Sequence, residues 1–116
     1  MPFRIESIEE ADIEFLALPR SVREVCITAF RELAVADSPL VSAPGWYTAE
    51  LRQNQRVAPE GLFSLHVGLL WRGVFFRRRK SLVFIGFGYR LPEFYSKLER
   101  LRRVVAGSES RGRRLS

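Results

Sequence analysis

LFSLHVGLLWRGVFFRRRKSLVFIGFGYRLPEFY, residues 62–95, is the stretch whose reading decides the fold. Three apolar runs, Leu62–Leu69, Arg72–Arg77 and Leu82–Tyr89, read as strands. Leu70 and Trp71 join the first two, and the basic turn Arg78–Ser81 joins the last two. Pro92 stands at a first-turn position and opens a helix, with Phe94, Leu98, Leu101 and Val105 on one stripe. Arg100, Arg102 and Arg103 lie near the end of that helix, where they are expected to complement its dipole. The apolar strands carry a sparse set of cationic and aromatic side chains: His66, Arg72, Arg77, Arg78, Arg79, Lys80, Arg90 and Tyr95. A small surface that binds or cuts RNA requires such a set.

Upstream, Phe3–Glu6 reads as a first strand with Phe3 and Ile5 on one side. Ser7 with Glu10 has capping-box spacing and predicts a helix start. That helix would bury Ile8, Ala11, Phe15 and Leu18 and end near Pro19. Ser21 with Glu24 repeats the signature. Val22, Val25, Cys26, Ala29, Phe30 and Leu33 then recur with helical period up to Ser38 and Pro39. Two helices this close predict an antiparallel helical hairpin. Residues 40–61 are rich in Pro, Gly and polar residues, with one strand expected at Tyr47–Leu51 and a long loop around Gln53–Glu60. After Gly107 the tail SESRGRRLS is polar and expected to be disordered. The predicted organisation is one domain over residues 1–106 followed by a basic tail, 107–116.

A chain of 116 residues, 47% hydrophobic and 28% charged, falls in the ordinary globular class and can build one core. No apolar stretch approaches the roughly 20 residues that span a bilayer. The first residues, MPFRIESIEE, show no secretory signal, and a cytoplasmic protein is expected. Cys26 is the only cysteine, so no internal disulfide can form, and its place in the helical stripe suggests a small buried hydrophobe. The net charge of +6 is unevenly placed. Residues 1–55 hold five Arg against nine acidic residues, whereas residues 56–116 hold fourteen Lys and Arg against four Glu. A basic half of this kind attracts phosphate-bearing partners or acidic protein segments. A solvated surface with a basic tail accounts for the same charge.

The element order β-α-α-β-β-β-α, with its local motifs, resembles the RelE/ParE superfamily of type II toxin–antitoxin toxins. FRIESIEEADIEFLALPRSVREVCITAFRELAVADSPL is similar to that family's opening strand and helical hairpin, including the LP before the second helix. LHVGLLWRGVFF is similar to its Gly, aromatic–Arg pair and short strand. LVFIGFGYRLPEFY resembles the closing strand, its Gly-x-Arg ending and the Tyr of the last helix. The resemblance spans roughly residues 3–105. It implies an α+β fold in which a small, mostly antiparallel sheet packs against an N-terminal helical hairpin and a C-terminal helix.

The resemblance further implies a metal-independent endoribonuclease that cuts mRNA, often on the ribosome, with no cofactor. It also implies a cognate antitoxin whose acidic segment covers the basic cleft. Carried over residue by residue, Arg72 and Arg90 would stabilise phosphate charge, with Arg90 also a candidate acid. Tyr95 would stack on a base or help to activate the nucleophile. His66 is the only candidate for proton transfer on its strand, with Ser64 expected on the same open face. Arg77, Arg78, Arg79 and Lys80 would touch the RNA backbone, or else form only a solvated hairpin turn. Gly68 and Arg72 stand one residue further apart than the family pattern, which implies a bulge or a register shift. Trp46 and Tyr47 read as loop anchors. Two other readings stay open: a ParE-like inhibitor of DNA gyrase without nuclease activity, and a non-enzymatic nucleic-acid-binding protein.

Overall fold

The computed structural model describes residues 2–52, 56–90 and 99–107. Its elements are β1 (Arg4–Ser7), α1 (Glu9–Leu16), α2 (Arg20–Val35), β2 (Ser42–Ala43), β3 (Trp46–Leu51), β4 (Leu62–Val67), β5 (Trp71–Arg78) and β6 (Ser81–Tyr89). Residues 99–107 form a further helix, α3. The strands make one sheet in the order β1-β6-β5-β4-β3-β2, with β1 parallel to β6 and every other pair antiparallel. The expected α+β architecture is the one found, with β2 as an additional short edge strand.

The sheet is buried on both faces. On one side Phe63, Leu65, Val67, Phe75, Phe84 and Phe87 meet the stripe Val22, Cys26, Ala29 and Leu33 of α2. On the other, Leu62, Val74, Phe76, Val83 and Ile85 lie under Leu101 of α3 and Ala58. Alternation along β6 breaks once. Val74 pairs with Gly86 but Phe75 pairs with Phe84, so Ile85 is an extra, bulged residue. The bulge allows Phe84 and Phe87, three apart, to reach the same core, where their rings stack at 5.3 Å. The bulge or register shift expected at the Gly68–Arg72 spacing is not found there, because a three-residue turn absorbs the extra length. Between β4 and β5 the register is unbroken, and Gly68, Leu69 and Leu70 form the turn, with Gly68 at a φ of 59°.

Beyond Phe84, β6 has no neighbouring strand on its outer side, because β1 pairs only with Ser81–Phe84. Helices close this edge. The Phe87 N–H donates to Glu14 Oε1 of α1 at 3.2 Å, and Arg100 Nη1 of α3 donates to the Ile85 carbonyl at 2.9 Å. The two side chains also bond each other, Nη1 to Oε1 at 2.6 Å, with the Arg100 side chain only 16% exposed. Glu10 accepts from both Arg100 and Arg103. Arg100 and Arg103 therefore form an ionic clamp to α1. An open strand edge would otherwise expose unpaired backbone groups.

Neither expected capping box forms. Ile8 is the N-cap of α1 and Pro19 that of α2, and neither side chain caps its helix. Ser7 instead donates to Asp12, and Ser21 lies inside α2. The start of the last helix at Pro92, with Phe94 and Leu98, falls outside the described residues, as does the tail from residue 108. Cys26 is buried, and burial pushes its thiol pKa up to about 12, as expected of a packing residue.

Candidate functional site

Register in the sheet fixes the site. His66 of β4 lies opposite Tyr47 of β3 and Arg72 of β5, and Arg72 lies opposite Gly88 of β6. Residues directly opposite one another share a face, so Tyr47, His66 and Arg72 form one cross-strand row with a glycine at its end. The row stands on the α3 side of the sheet, beyond the patch that Leu101 covers. The Tyr47 ring lies flat on the imidazole, with centroids 4.4 Å apart and planes 9° from parallel. Tyr47 is itself 45% exposed, so the stacked pair meets solvent on the tyrosine side. It is a member of the site and not a loop anchor. Trp46, by contrast, is buried in the core beneath α2.

His66 Nε2 and Ser64 Oγ are 2.7 Å apart. Ser64 is 3% exposed, so the expected open strand face is closed at this position. Among the described residues His66 Nδ1 is sealed from solvent without a hydrogen-bond partner. Such an unsatisfied polar atom costs about 1–3 kcal/mol, a sacrifice that folds concentrate where chemistry or binding occurs. Burial, and then the positive charge of Arg72, push the His66 pKa down from 6.5 to about 4. The imidazole is neutral at physiological pH. It is thus unprotonated, and a pKa of about 4 makes it a weaker base than a free imidazole.

Arg72 is half-buried, and its guanidinium donates to the carbonyls of Trp71 at 2.9 Å and Leu69 at 3.2 Å. Those two bonds aim the charge along the β4–β5 turn. The Arg90 N–H donates to Leu70 of the same turn at 3.0 Å, which brings the end of β6 beside Arg72. The Arg90 side chain is exposed, with its guanidinium carbon 5.9 Å from the Tyr89 ring centroid. Tyr89, 43% exposed, lies opposite Trp71 and meets its ring edge-on, so it stands on the other face of the sheet from Arg72. His66, Arg72 and Arg90 thus gather at one end of the sheet. Tyr95 lies outside the described residues. No group of three or more His, Cys, Asp or Glu suited to a metal occurs among the described residues.

The basic turn lies elsewhere. Arg78 pairs with Ser81 at the opposite end of β5, six residues and therefore roughly 20 Å from Arg72. Arg77 leans back over the Phe3 ring at 5.0 Å, while Arg78, Arg79 and Lys80 are exposed.

Two solved structures share this arrangement of helices and sheet. The archaeal RelE–RelB complex from Pyrococcus horikoshii matches with a TM-score of 0.60 and 13% identity, over 78% of this chain and 97% of that one. The fold is RelE-like. A free E. coli toxin RelE carrying two Arg-to-Ala substitutions matches at 0.50 and 20% identity, over 84% and 94% of the two chains. No family model and no curated protein matches the chain. The RelE-like sheet places the aromatic–Arg pair, Trp71 and Arg72, at the start of its second long hairpin strand. No described helix is long and apolar enough to cross a membrane.

Tyr47 is the site residue that sequence reasoning missed. Its only local signal is alternation: Trp46 points inward, so Tyr47 must point to the other face. Its meeting with His66 depends on pairing across the connection of residues 52–61.

Proposed function

We propose that this chain is the toxin of a toxin–antitoxin pair and a metal-independent endoribonuclease. The observation that carries the reading is the row Tyr47–His66–Arg72, in which a neutral imidazole is held beside a fixed guanidinium at a solvent-facing aromatic edge. In RNA cleavage the ribose 2′-oxygen forms a bond to the adjacent phosphorus while the bond from phosphorus to the 5′-oxygen breaks. His66 takes the 2′-hydroxyl proton on Nε2, which must exchange its Ser64 partner for the substrate hydroxyl to do so. Arg72 and Arg90 hold the charge that grows on the phosphate oxygens, and Arg90, the acid that the resemblance implies, gives a proton to the leaving 5′-oxygen. Burial is the larger cause of the depressed His66 pKa, and phosphate binding offsets only the smaller one, the Arg72 charge. Tyr95 remains in the set through the family resemblance, as a stacking group.

The cellular target in this reading is mRNA, with the ribosome as its platform, and the location is the cytoplasm. The partner is an antitoxin with an acidic segment over the basic half. The Pyrococcus match is itself a complex with RelB. Purified protein should cut mRNA in a ribosome assay, and His66→Ala and Arg72→Ala should each abolish the cuts. Cleavage that survives both changes removes this site from the chemistry.

One observation favours a second reading, a ParE-like gyrase inhibitor. His66 Nε2 is already engaged by Ser64, and Arg72 by two backbone carbonyls, so both groups have partners without substrate. Inhibition of DNA supercoiling by gyrase, with mRNA left intact, would decide for it.

A further inference from the structure

The β5–β6 hairpin breaks a local rule. Arg78 and Ser81 pair, leaving Arg79 and Lys80 as a two-residue turn, and Arg79 takes a φ of 57°. A left-handed φ at the first turn position is normally given to glycine. Arg79 is the one non-glycine residue with positive φ among those described. Two anchors hold it there. Glu60 accepts the Arg79 N–H at 2.8 Å, and Arg77 Nε donates to the Arg79 carbonyl at 3.1 Å. The backbone is pinned, whereas the side chains of Arg78, Arg79 and Lys80 are exposed and make no ion pair with a described residue.

A fourth cation joins them from another part of the chain. Arg4 of β1 lies opposite Ser81, and Ser81 lies opposite Arg78. Arg4 and Arg78 therefore flank a small buried serine on one face, about 10 Å apart by strand spacing. Arg4 is exposed and likewise has no described acidic partner. That face is the one on which Arg72 stands, because positions 72, 74, 76 and 78 alternate regularly along β5. Between the two cationic ends, Val74 and Phe76 are covered beneath Leu101 of α3.

We infer that Arg4, Arg78, Arg79 and Lys80 form a second binding surface for the sugar–phosphate backbone of a nucleic-acid strand, engaged together with the His66 end. A strained residue kept where glycine fits better marks a position retained for its side chain. None of the exposed large apolar residues lies on the turn or on β1. A stable folded-protein interface usually has a charge-depleted core, which this patch lacks, whereas a phosphate chain needs only spaced cations. One strand that crosses α3 meets cations on both sides of it, roughly 20 Å apart. This surface rests on the nuclease reading only in treating that strand as the substrate.

Arg79→Gly tests it without risk to the fold, since it removes a charge and relieves the backbone. The probe is a twenty-nucleotide oligouridine with 2′-O-methyl sugars, which cannot be cleaved, titrated at several salt concentrations with wild type, Arg79→Gly and Arg78→Ala/Arg79→Gly. The thermal midpoint of Arg79→Gly is expected to equal or exceed wild type. Affinity at low salt should fall by about 3–10-fold in Arg79→Gly and further in the double variant. The slope of log K against log salt should shrink by about 0.7 for each phosphate that is no longer neutralised. Affinities and slopes equal to wild type overturn the inference. So does unchanged RNA binding together with weakened binding of a poly-glutamate peptide, which would make the surface a protein-binding one. A wild type that binds the strand but cuts no RNA removes the nuclease reading and leaves this surface standing. A wild type that cuts RNA while the variants bind it equally well does the reverse.

Discussion

The two ends of the α3-side face of this sheet hold the same residue types under opposite conditions. At one end Arg72 is half-buried, tied by two carbonyls and set beside a histidine under a tyrosine ring. At the other, Arg78, Arg79 and Lys80 stand in solvent on a pinned turn. Partial burial at the first end strengthens electrostatics and shifts a pKa. Exposure at the second leaves charges screened but free to meet a long polyanion. A cation's surroundings, and not its identity, set what it can do.

The largest effect should come from the buried end. If the proposed nuclease reading holds, His66→Ala or Arg72→Ala is expected to lower the single-turnover cleavage rate about 10²–10⁴-fold, since in that reading each removes a proton-transfer or charge-stabilising group. Turn variants should instead raise the substrate concentration needed for half-maximal rate. A turn variant that lowers the single-turnover rate as far as Arg72→Ala would erase the distinction between the ends.

Next comes the clamp that holds α3 between them. Glu14→Ala or Arg100→Ala strips a half-buried ion pair and reopens the β6 edge at Phe87 and Ile85. A loss of about 1–3 kcal/mol in urea unfolding is expected, below the roughly 3–5 kcal/mol of a fully buried pair because both side chains keep some solvent contact. Wild-type stability in both variants would show that packing at Leu101 alone holds α3.

The neutral histidine sets a pH dependence. Its folded pKa of about 4 lies below the ordinary 6.5, so between those values the unfolded chain binds a proton that the folded chain refuses. Its contribution to stability is complete above pH 6.5 and is lost as pH falls through about 4. The chain has one histidine, so its ring-proton resonance reports the titration without ambiguity. Arg72→Ala should raise the measured midpoint, and Tyr47→Ala should raise it too by admitting water. A midpoint near 6.5 in wild type would mean that the ring is open to solvent.

The smallest expected effect is at Cys26. With its thiol buried and pushed up to about 12, it should resist thiol reagents in native buffer and react only in denaturant. Ready native labelling would show that α2 opens from the sheet.

Much of the fold is legible because it is written in local periods. The α2 stripe, the three strands of residues 62–89 and the LP before the second helix all follow from neighbouring residues. The capping boxes mislead, since Ser7 and Ser21 match a spacing while Ile8 and Pro19 take the cap positions. At the site, His66 and Arg72 are nameable one by one, but Tyr47 reads locally as an anchor.

The sequence by itself determined the order of elements, the apolar stripes and the segregation of charge, because each is a property of residues close along the chain. Only the tertiary structure decided which side chains meet. The row Tyr47–His66–Arg72–Gly88 exists through strand register across a long connection, and Arg4 joins the turn through a parallel pairing of distant segments. The extra residue at Ile85 shifts every side chain beyond it on β6 relative to its partner strand. No local pattern encodes a register between distant strands, because burial of all the inner side chains at once selects it.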